Sequence, residues 1–435
     1  MSSEMLGMIG IVVLLLLILL RAPVGMSLIL VGVGGYAYLM SIDVGLALLG
    51  MNTFNTASSY ILSVMPLFIL MGMILSYSGL GTDLFKSVDS WLGHVRGGLA
   101  IATIGFSAIF SAISGSANAT TATVARVTLP EMKKYGYNPG LAASSVASGG
   151  TLGILIPPSV ALILYGVLTV EPIGKLLIAG LVPGLLCMAL FMLTVYIQVR
   201  RNPSLAPKAK QKASLLERVK SLKSISPFLF VFLLSIGGIY FGFFTPTEAG
   251  GVGSFGAFLY AVLSRRMNWK RFLEAFDETV RLTTMIFIIL IGASLFGSFL
   301  AITKIPMTLS LIVSELTVSP YIILALILLL YFILGCFLEG IAIQVLTLPI
   351  IYPLIINLGF DGIWFGVIIV MMINIGLLTP PLGVAVYIIH GIDKSLPLQR
   401  LFISVMPMLL AMVVITLIFI IFPSIITFLP NLVEG

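Results

Sequence analysis

The sequence predicts an all-α polytopic membrane protein that contains two inverted-topology repeats, each with a re-entrant helical hairpin and a discontinuous helix. Of the 435 residues, 59% are hydrophobic and only 9% are charged, a composition that excludes a soluble globular protein. Apolar runs long enough to cross a bilayer recur throughout the chain. The 43 glycines and 22 prolines are too many for plain transmembrane rods, and they indicate interrupted helices.

Apolar runs between charged residues or Pro/Gly breaks predict ten membrane crossings. These lie near 6–20, 24–40, 60–77, 141–170, 174–199, 227–244, 248–263, 282–302, 362–391 and 401–428. The stretches 98–130 and 320–357 carry small or polar interruptions, and each is predicted to be a hairpin that enters and leaves the membrane by one side.

The distribution of basic residues predicts the orientation. In this threading all but Lys175 and Lys304 of the 23 Lys and Arg residues fall on one side of the membrane, which the positive-inside rule makes the cytoplasmic side. Both termini are then outside. The net charge of +7 is therefore interpreted as topology rather than as a nucleic-acid surface. Cys187 and Cys336 lie in apolar runs without a metal-site spacing and are expected to be buried thiols.

A shift of about 222 residues maps the first half of the sequence onto the second. The predicted organisation is a first repeat over 1–199, a basic cytoplasmic linker over 200–226 and a second repeat over 227–435. MPLFILMGMIL from Met65 matches MIFIILIGASL from Met285 at five of eleven positions, and GILIPPS from Gly153 returns as GLLTPPL from Gly376.

Inverted repeats with discontinuous helices are typical of secondary transporters, which bind substrate and coupling ions at the repeat interface near the membrane midplane. The alternative is that the repeat records an old duplication and that the Gly/Pro pairs are packing kinks. Breaks at equivalent positions beside hydroxyl residues, at 141–170 and 362–391, favour the transport interpretation. The sequence lacks the paired nucleophile and base that a membrane-embedded hydrolase would need, so an enzyme is not predicted.

The tip of the first hairpin is the polar sequence SAISGSANATTAT, which begins at Ser111. Non-helical backbone at membrane depth must be buried in protein or face water, and its oxygens together with Ser114, Ser116, Asn118 and Thr120 suit Na⁺. The N-terminus of the second arm would also favour an anion. The alternative is that small residues simply let the helices pack closely.

The broken helix that follows has loosening glycines and two prolines that free backbone carbonyls. These carbonyls and Thr151 could complete a cation shell, while Ser159 beyond the break could meet a substrate carboxylate. The second half repeats the arrangement with Glu339, Thr347, Gly376, Thr379, Pro380 and Pro381.

Two glutamates receive different predictions. Glu339 is an acidic residue within an apolar hairpin, which makes it a candidate cation ligand or proton carrier. The alternative for Glu339 is a neutral acid that is hydrogen-bonded at a helix break. Glu248 lies next to Pro246 at a span boundary and is expected to cap the following helix.

Four segments carry a family resemblance. SGSANATTATVARVTLPEMKKYGYNPGLAASSVASGGTLGILIPPSVALILYG, FTPTEAGGVGSFGAF, FLEGIAIQVLTLPIIYPLI and GLLTPPLGVAVY together resemble the large membrane subunit of a TRAP (tripartite ATP-independent periplasmic) transporter. The segments occur in the family's order and span most of the chain. The resemblance implies the ion-transporter-superfamily fold and an elevator-type mechanism.

The resemblance also implies partners and a driving force. A periplasmic substrate-binding protein would deliver an organic acid, such as a C4-dicarboxylate or a sialic acid, to this chain and a small four-span membrane subunit in the bacterial inner membrane. Na⁺ would be the coupling ion, with no other cofactor, and both termini would be periplasmic. The alternative is a Na⁺/organic-anion symporter or exchanger of related fold that works without a binding protein.

The residue roles that the resemblance implies fall into three sets. One Na⁺ site would use Ser114, Ser116, Asn118, Gly150, Thr151 and Pro157. A second Na⁺ site would use Glu339, Thr347, Gly376 and Thr379. Substrate would meet Ser116, Thr120, Pro158, Ser159 and Pro381. Arg126 has two open interpretations, a substrate contact or a side chain that extends toward water at the inner face.

Overall fold

The computed structural model describes residues 2–20, 22–207, 213–315 and 318–432. All regular secondary structure within these ranges is helical, so the predicted all-α class is confirmed. Four members of the predicted cytoplasmic basic set, Arg21, Lys208, Lys210 and Lys212, lie outside the described residues.

The first half of the chain forms ten helices in the described ranges. They are α1 Ser3–Leu19, α2 Val24–Leu39, α3 Ile42–Ala57, α4 Val64–Tyr77, α5 Leu80–Leu92, α6 Gly98–Ser114, α7 Ala117–Lys134, α8 Pro139–Thr151, α9 Val160–Thr169 and α10 Ile173–Arg201. The stretch 98–130, which was predicted to be a hairpin, corresponds to α6 and α7. The stretch 141–170 corresponds to α8 and α9 with a break between them.

The second half forms another ten helices in the part of the chain that the structure describes. They are α11 Leu215–Tyr240, α12 Pro246–Leu263, α13 Trp269–Thr303, α14 Ile305–Glu315, α15 Pro320–Gly335, α16 Gly340–Asn357, α17 Gly362–Leu378, α18 Val384–Ile392, α19 Leu398–Ile421 and α20 Ser424–Leu432.

Equivalent elements of the two halves keep a nearly constant offset. α16 begins 223 residues after α7, and α17 begins 223 residues after α8. The Pro157–Pro158 and Pro380–Pro381 peptide bonds, which lie in the two helix breaks, are both cis. The fold thus contains two repeats, each with a helical hairpin and a broken helix.

Three helix boundaries differ from the sequence-based expectation. α11 begins at Leu215, inside the predicted linker 200–226, because Ser214 and Glu217 form a capping box there. α13 is a single helix of 35 residues that joins the expected amphipathic segment to the span 282–302, since no proline interrupts it. The expected span 401–428 is divided near Pro423, which separates α19 from α20.

Length and composition alone identify four single helices of the described ranges that are able to cross a membrane: Ile173–Arg201, Trp269–Thr303, Gly340–Asn357 and Leu398–Ile421. Two bent pairs raise this number to six, Ile42–Ala57 with Ile61–Tyr77 at 57° and Leu215–Lys223 with Phe228–Tyr240 at 62°. The ten crossings also need shorter apolar helices such as α2, α6 and α17. That threading and its orientation stay predictions.

The two halves pack through close contacts between equivalent helices. α2 lies along α13, and α4 lies along α12. Gly32 of α2 is so near α13 that a Cβ atom there would lie 2.7 Å from the Phe296 nitrogen. Small residues of this kind let membrane helices approach each other closely.

Two smaller expectations are confirmed. The Glu248 carboxylate accepts hydrogen bonds from the Thr245 nitrogen at 2.8 Å and from the Thr245 hydroxyl at 2.9 Å, and this capping box begins α12. Cys187 and Cys336 are buried free thiols.

Candidate functional site

The first hairpin turns at a left-handed glycine. α6 ends at Ser114, Gly115 has φ of 59°, and Ser116 is the N-cap of α7. The Ser116 hydroxyl accepts a long hydrogen bond of 3.5 Å from the Ala119 nitrogen. The hydroxyls of Ser114 and Thr120 are 2.5 Å apart, so Thr120 closes the tip from within.

This tip lies against the break between α8 and α9. The Val160 nitrogen donates a hydrogen bond of 3.2 Å to the Gly115 carbonyl. A Cβ atom on Gly153 would lie 2.5 Å from the Ser116 carbonyl oxygen. Only glycine therefore allows the break to approach the tip so closely.

The polar residues of the first break are buried and already have partners. The Ser159 hydroxyl donates to the Ile154 carbonyl at 2.6 Å and caps α9 by accepting from the Leu162 nitrogen at 3.2 Å. The Thr151 hydroxyl donates to the Ser148 carbonyl at 2.7 Å. Both hydroxyl oxygens keep lone pairs for a further ligand.

The second hairpin repeats this geometry. α15 ends at Gly335, and α16 begins after Glu339, whose side chain makes no capping hydrogen bond. A Cβ atom on Gly376 would lie 2.4 Å from the Gly335 carbonyl carbon, so the hairpin meets the end of α17. The Thr379 hydroxyl donates to the Ile375 carbonyl at 2.7 Å.

Thr347 is engaged elsewhere. Its hydroxyl donates to the Ile343 carbonyl at 2.7 Å and, having used its proton there, accepts from the Tyr331 hydroxyl at 2.6 Å. Thr347 is buried two turns along α16 from Glu339. The predicted second Na⁺ shell is therefore not preassembled around this hydroxyl.

A cavity of about 240 Å³ brings the tips of the two hairpins together. Four predicted site residues line it: Ser114, Ser116, Asn118 and Glu339. The remaining predicted residues lie behind this surface and do not line the cavity: Thr120, Gly150, Thr151, Pro157, Pro158, Ser159, Thr347, Gly376, Thr379 and Pro381. Arg126 is exposed on α7 and does not line the cavity either.

One charged residue of the cavity wall, Glu278 of α13, was missed by the sequence reasoning. Its carboxylate accepts a hydrogen bond of 2.6 Å from the Tyr77 hydroxyl of α4. Among the described residues that line the cavity there is no Lys, Arg or His, and the charged ones are Glu278 and Glu339. A cavity with two carboxylates and several hydroxyl or amide oxygens suits hard cations.

A larger cavity, of about 910 Å³, contains none of the predicted site residues. It lies between α3, the loop from α9 to α10, the start of α12 and the middle of α13. Size alone therefore does not identify the candidate site, whereas the converging hairpin tips and carboxylates do.

The described residues contain no cluster of three or more His, Cys, Asp or Glu that could hold a metal ion. The candidate site instead combines polar hairpin tips, broken helices and a shared cavity inside an apolar helical bundle. This combination defines a membrane transporter rather than an enzyme. A family model described as the DctM component of the tripartite ATP-independent periplasmic transporter matches residues 11–425. The chain belongs to that family.

Named relatives match over most of their length. The chain is 35% identical over 386 residues to the C4-dicarboxylate TRAP transporter large permease protein DctM of Pseudomonas aeruginosa, covering 88% of this chain and 89% of that protein. It is 32% identical over 415 residues to the sialic acid TRAP transporter large permease protein SiaM of Vibrio cholerae, covering 95% and 96%. It also covers 57% of the isethionate TRAP transporter permease protein DctMQ of Oleidesulfovibrio alaskensis, at 32% identity.

A solved structure shares the fold. The YdaH transporter of Alcanivorax borkumensis, whose crystal structure is described as revealing an unusual topology, superposes with a TM-score of 0.58 and 14% sequence identity. The superposition covers 89% of this chain and 90% of that chain.

Proposed function

We propose that this chain is the large permease subunit of a Na⁺-coupled system that takes up an organic acid across the bacterial inner membrane. The observation that carries the proposal is the cavity where Ser114, Ser116 and Asn118 of one hairpin meet Glu339 of the other. Oxygens from two oppositely placed repeats at one cavity provide ligands for a cation and a place for its cargo.

A carboxylate cargo suits this cavity once cations occupy it. The cavity wall has two carboxylates of its own and no basic residue among the described residues that line it, so bound Na⁺ supplies the positive charge that an acid requires. The start of α7 adds unpaired backbone N–H groups near Ser116. The relatives named for C4-dicarboxylate, sialic acid and 2,3-diketo-L-gulonate support an organic acid as the cargo class.

An elevator movement is the proposed mechanism of access. Each hairpin packs against its own broken helix, as the contacts of Gly115 with Val160 and of Gly335 with Gly376 show. These elements would move together, with the cavity, against a scaffold that includes α2, α4, α12 and α13. The Gly72 position of α4, where a Cβ atom would lie within 2.1 Å of the Ile113 carbonyl, would be a contact of one state only.

Two partners are proposed, a small four-span membrane subunit and a periplasmic substrate-binding protein. The family description names a tripartite, periplasmic system, and the DctMQ relative is a longer permease of which this chain covers 57%.

Reconstitution tests the proposal. Proteoliposomes with this chain, the small subunit and the binding protein should accumulate the binding protein's ligand when an inward Na⁺ gradient is applied. Equal uptake with K⁺ replacing Na⁺ would reject Na⁺ coupling. Equal uptake without the binding protein would instead support the alternative symporter or exchanger.

A further inference from the structure

Two amide side chains are buried in the second repeat without hydrogen-bond partners. Gln344 of α16 is 0% exposed, and neither its Nε2 nor its Oε1 atom has a partner. Asn374 of α17 is 1% exposed, and its Oδ1 atom has none. Buried polar atoms without partners are costly, and they are rare in native proteins unless a water, ion or ligand completes them.

The two amides lie on adjoining parts of the hairpin and the broken helix. Gln344 is one helical turn beyond Gly340, where an added Cβ atom would lie 2.7 Å from the Ile373 side chain. Asn374 is the next residue along α17 and belongs to the last turns of that helix, which ends at Leu378. Carbonyls at a helix C-terminus favour a cation.

The first repeat shows how unusual this pair is. The 223-residue offset makes Thr121 and Thr151 the equivalents of Gln344 and Asn374. Thr121 lies against Gly150, and the two threonine hydroxyls donate to the Ala117 and Ser148 carbonyls, each at 2.7 Å. The threonines thus satisfy their hydrogen-bonding groups within their own helices, whereas the amides do not.

We infer that Gln344 Oε1 and Asn374 Oδ1 are ligands of the second coupling Na⁺, in the role that was predicted for Thr347. This inference rests on the proposed Na⁺ coupling. Thr347 already has two hydroxyl partners, whereas the amide oxygens are neutral, hard ligands with both lone pairs free. Glu339, which lies at the start of the same helix, supplies the countercharge.

Replacement by leucine separates a cation from a buried water. Gln344→Leu and Asn374→Leu remove polar atoms that lack partners, so each variant should melt at or above the wild-type temperature in K⁺ buffer. In Na⁺ buffer a bound ion raises the melting temperature of the wild type by mass action. Each leucine variant should lose at least half of that Na⁺-specific rise, because one of its ligands is gone.

The assay uses the complex of this chain with its small subunit, at constant ionic strength, with Na⁺ exchanged for K⁺. Gln344→Glu and Asn374→Asp keep the oxygen ligands and should retain the Na⁺-specific rise. Gln198→Leu is the matched control, since the Nε2 atom of Gln198 is likewise buried without a partner but lies near the end of α10. In reconstituted uptake the leucine variants should need roughly tenfold more Na⁺ for half-maximal rate.

Each outcome decides the inference. A leucine variant whose melting temperature changes by the same amount in Na⁺ and K⁺ would show that the amides bind water or nothing, and would overturn the inference while Na⁺ coupling stands. A variant that is unfolded in both buffers is resolved by its Glu or Asp counterpart, because a folded counterpart without the Na⁺-specific rise also overturns it. A wild-type complex without Na⁺-dependent uptake would reject the proposed function itself.

Discussion

At the scale of single residues, the sequence predicts which side chains carry chemistry better than it predicts their surroundings. Ser114, Ser116, Asn118 and Glu339 are identifiable because polar residues at membrane depth need a reason, and the structure places all four on one cavity. Glu278 was missed because its neighbours in the sequence are those of an ordinary amphipathic helix. Only the packing of α13 beside the hairpins brings it to the cavity wall.

Glu339→Gln tests the carboxylate as a cation ligand. The amide keeps the shape of the side chain but removes its charge, so half-maximal uptake should require roughly tenfold more Na⁺, as for the loss of an interaction with a charged group. The measurement is the Na⁺ dependence of uptake in proteoliposomes. Glu248→Gln is the control, because that carboxylate caps α12 and does not line the cavity. A wild-type Na⁺ response of the Glu339 variant would return this residue to a structural role.

Ser116→Ala tests the first hairpin tip as a cargo contact. The variant removes both the hydroxyl that faces the cavity and the N-cap of α7, so cargo affinity should fall. Loss of the cap costs about 1 kcal/mol of stability, and a thermal melt distinguishes that cost from a binding defect. Ser204→Ala, which is exposed outside the cavity, is the control. Unchanged concentration dependence of uptake would remove Ser116 from the substrate site.

At the scale of elements, proline and glycine positions predict where helices end, while their absence predicts continuity less well. The breaks after α8 and α17 were predicted from Pro157, Pro158, Pro380 and Pro381, and the structure ends the helices there. The continuous α13 was not predicted, because its charged first turns and apolar remainder were interpreted as two segments. Propensity alone cannot tell whether such a change of polarity coincides with a bend.

Gly376→Ala tests the contact between the second hairpin and its broken helix. A methyl group there would overlap the Gly335 backbone, and overpacking of this kind costs about 1–3 kcal/mol. We expect a lower melting temperature and weaker Na⁺-dependent uptake. Gly297→Ala is the matched helical control, since a Cβ atom there meets nothing within 4 Å; it should be neutral or slightly stabilising because alanine favours helix. Equal effects of the two variants would contradict a tight contact at Gly376.

At the scale of the whole molecule, the offset of 223 residues between equivalent helices explains why the repeat was recognisable in the sequence. The packing of the halves was not predictable in the same way. Contacts such as α2 with α13 depend on which glycines face a neighbour, and a glycine pattern does not say which helix will approach it. Membrane sidedness remains a prediction from charge, since helix geometry is the same for either orientation.

Cysteine labelling tests that sidedness directly. The threading places the loop from α9 to α10 outside and the region after α10 inside, where positive charge is concentrated. Val170 is 91% exposed in the first and Ser204 is exposed in the second, so each tolerates a reporter thiol, and the native thiols of Cys187 and Cys336 are buried. A membrane-impermeant maleimide applied to spheroplasts should label Val170→Cys at once and Ser204→Cys only after lysis, with the parent protein as background. The reverse pattern would invert the topology, and with it the side from which the proposed binding protein would deliver the cargo.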